Sequence, residues 1–308
     1  MGGSGGGRFF SGKVDPDDLA RKVREAEEQA DRNKFETEAS EFLASELAIF
    51  NDRDIASTQK LFDAVKKDIE SEVEGTVDLL FGGSVSKHTY VDGLSDIDAL
   101  VLIDKTDLKG KSPKELQRLL ASNLQARYRK NAVQVGELAV TLNYKGQSIQ
   151  LLPALREGNK FKIANYGGKG WSLINPAGFA KALTKANNSM DGKLVPCIKL
   201  AKAIVSSLPE KRRLTGYHIE SLAIKNFKGY KGDKTTKAML QHFFQTAPTH
   251  VKTPIKDSSG QSVHVDQYLG RSNSLERKIV SDALGRIGRK IRNANGAQLL
   301  QRWKELFE

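Results

Sequence analysis

The chain has 308 residues, of which 39% are hydrophobic and 28% charged, and its formal net charge is +12 at pH 7. This length and composition predict a globular protein with a substantial core. No window approaches the roughly 18 apolar residues of a membrane span and no signal peptide is recognisable, so we expect a cytoplasmic protein with no membrane partner. The positive charge favours polyanionic partners, which include nucleic acids, nucleotides and anionic lipids.

The first half of the chain combines helices with strands. Residues 1–14 are glycine-rich and predicted to be flexible, and from Asp15 to about Val73 the pattern predicts one long or broken helix. A further helix is predicted over Ser112–Lys130, opened by a Ser-Pro pair. Strands are predicted at Val77–Phe81, Ala99–Ile103, Val133–Val135, Leu138–Tyr144 and Ser148–Ala154, and the last two form a hairpin around "KGQ".

Helical patterns dominate after Asn175-Pro176. The predicted helices are Pro176–Asn187, Leu194–Ser207, Gly216–Phe227, Thr235–Thr246 and Ser274–Asn293. We therefore expect an α+β protein in which residues 15–165, including the N-terminal helix, carry a mixed sheet and residues 166–308 form a helical domain. The single cysteine, Cys197, lies in an apolar run and is expected to be a buried structural thiol.

Two carboxylates lie at the start of one short apolar strand. Asp96 and Asp98 are two residues apart, so both side chains leave the same face of the strand. A divalent cation relieves the repulsion between two such carboxylates, and oxygen ligands suit Mg²⁺ or Mn²⁺. Upstream, Gly83 permits close approach to a phosphate, Ser84 offers a hydroxyl and Lys87 a positive charge. A lone Asp-x-Asp is common in exposed loops, but the flanking strand and glycine turn do not fit a solvated face.

This arrangement resembles a known signature. Residues 82–103 are similar to the glycine-serine turn and Asp-hydrophobic-Asp motif of the DNA polymerase β-like nucleotidyltransferases, and more narrowly to the cGAS/DncV-like enzymes of the SMODS group. "SIQLLPAL" and the segment beginning "NPAGFAKAL" resemble later parts of the same family. The resemblance implies a polymerase β-like nucleotidyltransferase core followed by a helical nucleotide-binding domain.

The resemblance also implies roles for individual residues. Asp96 and Asp98 would hold Mg²⁺ or Mn²⁺, which activates a ribose hydroxyl for attack on the α-phosphate of a nucleoside triphosphate. Gly83, Ser84 and Lys87 would contact the triphosphate.

The helical half would complete the nucleotide site. Lys202 matches a phosphate-binding lysine of the family, and Tyr217 matches a tyrosine that stacks on the base. Gly216 stands where the family has a serine, so that phosphate contact is either lost or moved to Thr215.

The sequence departs from the family at Gln150, where the third acidic ligand is expected. An amide oxygen can coordinate a metal, but it carries no charge and cannot act as a base. Four interpretations stay open: Glu137 or Glu157 reaches the site, two carboxylates suffice, the chain binds nucleotide without turnover, or the glutamine is an introduced substitution.

The resulting hypothesis is a template-independent nucleotidyltransferase that makes a cyclic or short linear oligonucleotide second messenger in bacterial antiphage defence, with a separate effector protein that recognises the product. One alternative is transfer to an RNA 3′ end or a protein hydroxyl, and another is a catalytically impaired nucleotide sensor. Two basic segments, 225–237 and 277–292, are candidates for binding nucleic acid, and much of the charge of the second is alternatively the solvated side of an amphipathic helix.

Overall fold

A computed structural model describes residues 15–51, 55–82, 84, 87–89, 91, 97–165, 167–262 and 265–308. The predicted flexible segment 1–14 lies outside these residues. The predicted N-terminal helix is divided into α1, Pro16–Ile49, and α2, Ile55–Glu70. Asp15 caps α1 by accepting a hydrogen bond from the backbone of Asp17, and Pro16 fills the first helical position.

The strands form one mixed sheet. Its order is β1-β2-β5-β4-β3, with β6 paired to β5 and β7 to β6. The pair β2 and β5 is parallel, and the other pairs are antiparallel. The strands are β1 Gly75–Phe81, β2 Ile97–Thr106, β3 Val133–Val135, β4 Val140–Tyr144, β5 Gln147–Glu157, β6 Lys160–Ala164 and β7 Trp171–Ile174. The mixed sheet confirms the predicted fold class, and β6 and β7 are strands that the sequence pattern had not predicted.

Local chemistry explains two elements around the sheet. Lys145 and Gly146 both have positive φ, 48° and 78°, and form the tight two-residue turn between β4 and β5 at the predicted "KGQ" hairpin. Helix α3, Pro113–Arg127, begins with a capping box in which the Ser112 and Glu115 side chains each bind the other's backbone N–H. Its apolar face packs on the sheet through leucines that include Leu116 and Leu120.

The remaining helices surround a second core. They are α4 Pro176–Ser189, α5 Leu194–Ser206, α6 Gly216–Asn226, α7 Thr236–His250, α8 Leu275–Gly296 and α9 Leu300–Lys304. Phe35, Ala39 and Leu43 of α1 pack in this helical core, and Cys197 is fully buried there, as predicted. The division of the chain at residue 165 stays a prediction, and the strands continue to Ile174. None of the described helices combines the length and apolar character needed to cross a membrane.

Candidate functional site

A cavity of about 420 Å³ lies between the sheet and the helices. Six of the eight predicted site residues line it: Ser84, Lys87, Asp98 and Gln150 from the sheet side, and Lys202 and Tyr217 from α5 and α6. The other two, Gly83 and Asp96, lie outside the described residues. A volume of this size is typical of small-molecule sites in proteins.

Asp98 and Gln150 are neighbours across the only parallel strand pair in the described sheet. Asp98 of β2 is in register with Gln150 of β5, so both side chains project from the same face of the sheet. Thr141 of β4 stands beside Gln150 on its other side. The strand register therefore places the amide of Gln150 beside the carboxylate of Asp98.

The two acids considered as replacements for Gln150 do not line the cavity. Glu137 accepts a hydrogen bond from the backbone N–H of Gly167, over a distance of 2.9 Å. Glu157 lies at the far end of β5, where it forms an exposed ion pair with Lys162. The structure thus gives no support to the interpretation that either acid reaches the site.

Glu220 is the centre of a buried charge cluster in the cavity wall. Its side chain is 1% exposed and forms ion pairs with Lys87 and, at 2.8 Å, with Lys202. The Thr89 hydroxyl also donates to the Glu220 carboxylate, and the Lys202 ammonium donates to the Thr89 carbonyl over 2.8 Å. The predicted phosphate-binding lysines are therefore both held by one carboxylate, which joins the loop after β1 to α5 and α6.

The charges of this cluster depend on one another. Burial alone would raise the pKa of Glu220, but the ammonium groups of Lys202 and Lys87 lower that pKa to about 2. Burial also lowers the pKa of Lys202, although the neighbouring Glu220 carboxylate opposes this effect. With both lysines protonated, the cluster carries one net positive charge next to the cavity, which favours an anionic ligand.

Gly216 and Thr215 form the start of α6 at the cavity. A Cβ atom on Gly216 would lie 3.3 Å from both Cε and Nζ of Lys202, so a side chain here would press on the end of that lysine. Thr215 caps the helix by accepting from the His218 backbone N–H over 3.2 Å. The free N–H groups at the start of an 11-residue helix give this wall a further preference for negative charge.

Tyr217 has a fixed ring at the edge of the cavity. Its hydroxyl donates to Asp257 over 2.6 Å, and its ring packs edge-on against Phe179 with centroids 4.9 Å apart. Burial first and the bond to Asp257 second raise the pKa of the Tyr217 hydroxyl. The Lys87 ammonium lies 5.0 Å from the ring centroid, so the aromatic wall and the charge cluster are in contact.

The segment 251–274, of which the structure describes residues 251–262 and 265–274, supports this wall from behind. Besides Asp257, it carries Tyr268, whose hydroxyl accepts from the Thr215 backbone N–H over 3.1 Å. Arg277 holds the segment by donating to Asp266 at 2.9 Å, to the carbonyl of Val251 at 3.0 Å and to that of Gly270 at 2.8 Å.

Two residues of the predicted basic segments are not available to a nucleic acid. Arg277 is fully buried in the contacts just described. Lys237 is 8% exposed, forms an ion pair with Glu36 and lies 4.6 Å from the Phe35 ring centroid. Helical periodicity had predicted that much of the charge of the second segment, which begins at Arg277, is solvated.

The donor atoms at the strand ends suit a hard divalent cation. In the part of the chain that the structure describes, no three His, Cys, Asp or Glu side chains form a ready metal cluster. Asp98 contributes a carboxylate and Gln150 an amide oxygen on the same face, and Asp96 is two residues before Asp98 in the sequence. The carboxylate of Asp98 and the amide oxygen of Gln150 are both oxygen donors, which a hard divalent cation prefers.

Known proteins share both the domain and the fold. Residues 35–187 match the family model of the Second Messenger Oligonucleotide or Dinucleotide Synthetase (SMODS) domain. The 3′-deoxy GTP-bound structure of Escherichia coli DncV aligns with a TM-score of 0.64 at 12% identity, over 96% of this chain and 91% of that one. No curated protein matches the chain in sequence.

Two further solved structures are similar. CdnG from Bradyrhizobium diazoefficiens in complex with GTP has a TM-score of 0.62 at 13% identity, over 82% of this chain and 88% of that one. The STING-associated CdnE c-di-GMP synthase from Capnocytophaga granulosa has a TM-score of 0.57 at 17% identity, over 78% and 81%. At these identities the likeness to solved structures establishes a common fold.

Proposed function

Because the chain belongs to the cGAS/DncV-like nucleotidyltransferases and carries the SMODS domain at residues 35–187, we propose that it joins nucleoside triphosphates, without a template, into a cyclic or short linear oligonucleotide. This product acts as a second messenger in bacterial antiphage defence and is recognised in the cytoplasm by a separate effector protein.

The observation that carries the proposal is the composition of the 420 Å³ cavity. One wall presents Asp98 and Gln150 on adjacent strand positions, and the facing wall presents Lys202, Tyr217 and the start of α6. The oxygen donors suit a metal-bound phosphate, the cationic wall suits the rest of the triphosphate, and the aromatic ring suits a base.

The protein residues have distinct roles in this mechanism. Asp98, together with Asp96, would hold Mg²⁺ or Mn²⁺, and such an ion stabilises negative charge on the reacting phosphate and makes the attacking hydroxyl more acidic. Lys87, Lys202 and the N–H groups of α6 balance the charge of the phosphates. Tyr217 restricts where the base can lie, because its own position is fixed by Asp257.

Gln150 limits the chemistry. Its amide oxygen can accept a hydrogen bond from the attacking hydroxyl and so orient it, but the amide cannot take up the proton. We therefore propose that turnover is slower than it would be with a carboxylate at this position. If orientation and metal binding are insufficient, the same cavity binds nucleotides without turnover, and the chain is a sensor; Gln150 is the observation that favours this second candidate.

The test is incubation of the purified chain with radiolabelled NTPs and dNTPs and either Mg²⁺ or Mn²⁺, followed by phosphatase treatment and separation of products. Asp98→Asn should abolish any phosphatase-resistant product, whereas Gln150→Asp should increase it. Glu157→Gln, an exposed change on the same strand as Gln150, serves as the matched control and should leave the yield unchanged.

The outcomes separate the candidates. A product from the native chain that is lost in Asp98→Asn supports the synthase. Nucleotide binding without product, with activity gained in Gln150→Asp, supports the sensor. Activity that requires added RNA or protein would show that the acceptor is not a second nucleotide, and no binding and no product in any variant would refute both proposals.

A further inference from the structure

The first half of α1 is exposed to solvent, whereas its second half packs on the helical core. From Pro16 to Lys34 every residue is exposed except Asp18, which is half-buried, and the first buried side chain is Phe35. At 1.5 Å per residue this part of the helix is about 28 Å long. A helix of that length gains most of its stability from packing, so it needs a surface to pack against.

This exposed part carries a narrow apolar stripe. Leu19, Val23, Ala26 and Ala30 follow one another at spacings of four, three and four residues, which is the a/d pattern of a coiled coil. Leu19 is 54% exposed and Val23 is 50% exposed. The residues between them are mainly charged, and Arg21 and Lys22 form exposed ion pairs with Asp18 along the same helix. The stripe is therefore the seam by which this helix would meet another.

The stripe faces away from the body of the protein. At about 100° per residue, the mean direction of the stripe lies about 150–190° around the helix from Phe35 and Ala39. Those two residues pack in the helical core. A helix laid along the stripe would therefore lie on the side of α1 opposite to Phe35 and Ala39.

The charged residues that flank the stripe favour a second copy of this chain as the partner. Lys22 and Glu27 flank it on opposite sides, at the positions that a coiled coil designates g and e. When two α1 helices lie parallel, Lys22 of each copy faces Glu27 of the other, and the two-fold axis repeats the pair. In an antiparallel arrangement g faces g, so Lys22 and Glu27 do not meet.

We propose that two copies of this chain associate through a parallel coiled coil of their α1 helices, with Leu19, Val23, Ala26 and Ala30 at the seam. The two bodies then lie on opposite outer sides of the coiled coil. This association is independent of the proposed enzymatic activity.

Sedimentation equilibrium of the full chain from about 1 to 200 µM tests the proposal. The average mass should rise from 33.9 kDa towards twice that value. Val23→Glu should keep the chain monomeric throughout. Lys22→Glu and Glu27→Lys should each weaken the dimer about tenfold, since each replaces two attractive pairs by two repulsive ones.

Mixing the Lys22→Glu and Glu27→Lys variants is the decisive step. Their opposite charges should restore association as a heterodimer. Glu28→Lys is the matched control: it makes the same charge change one residue further on, outside the seam and its flanks, and should leave the dimer intact. A chain that stays monomeric at the highest concentration overturns the proposal. So does a dimer that is indifferent to Val23→Glu, or a mixture of the charge variants that associates no better than either alone.

Discussion

Replacing Glu220 by glutamine tests whether the buried charge cluster holds the cavity wall together. The lysines lower the pKa of Glu220 from its ordinary 4.5 to about 2 despite its burial. A difference of about 2.5 pH units between the unfolded and folded pKa corresponds to about 3 kcal/mol of stability at neutral pH. Removing one partner of a buried ion pair generally costs about 3–5 kcal/mol, so two separate arguments agree. We expect Glu220→Gln to lower the free energy of unfolding by about 3 kcal/mol at pH 7.

Urea denaturation at pH 7 and pH 3.5 measures this effect and its sign. Because folding lowers the pKa of Glu220, its stabilisation is complete above pH 4.5 and is lost as the pH falls towards 2. The difference between native and variant chains should therefore be about 1 kcal/mol smaller at pH 3.5 than at pH 7. Glu157→Gln, which breaks an exposed pair, should change stability by less than about 0.5 kcal/mol. A Glu220→Gln variant as stable as the native chain at pH 7, or a deficit of equal size at both pH values, would refute the reasoning.

Three further variants probe the same wall. Gly216→Ala should lower stability by about 1 kcal/mol in thermal melts, because its Cβ would displace Lys202; a rise in melting temperature, the usual effect of alanine at a helical glycine, contradicts this. Tyr217→Phe should lower the free energy of unfolding by about 1 kcal/mol, because it removes the donor to Asp257. Nucleotide binding, measured by calorimetry, should persist because the ring stays; loss of binding would show that the hydroxyl contacts the ligand. Burial lowers the pKa of His218 to about 4, so native stability should rise by about 3 kcal/mol between pH 4 and 6.5. His218→Gln should remove that rise, and an unchanged pH profile would exclude His218 as its source.

The elements that sequence predicted well are those with local signals. Ser112 and Glu115 mark the start of α3 by a capping box, and Lys145-Gly146 marks a hairpin turn. Strands β6 and β7 have five and four residues and lie next to the glycine-containing stretches at Gly158 and 167–170, a pattern that favours loops. Their place is set by pairing with β5 and with each other, which is a tertiary effect.

The site shows the same limit. The resemblance to the nucleotidyltransferase signature drew attention to Asp98 and Gln150, and the parallel register places these two residues side by side. No local pattern reveals Glu220 as the partner of Lys87, because the two residues are 133 positions apart in the sequence. Helical periodicity likewise placed Arg277 on an exposed face, although the chain before α8 folds back over it.

The contacts of Arg277 stabilise the segment 251–274, although its described residues, 251–262 and 265–274, form no long helix or strand. A stretch of this length would ordinarily be a mobile surface loop, tolerant of cuts and insertions. Here one guanidinium fixes it at Val251, Asp266 and Gly270, near both of its ends. The segment should thus open only when the helices themselves open, and it belongs to the cooperative folding unit of the helical core. Mutations deep beneath α8 can therefore disorder Asp257 and, through it, the aromatic wall of a cavity that they never touch.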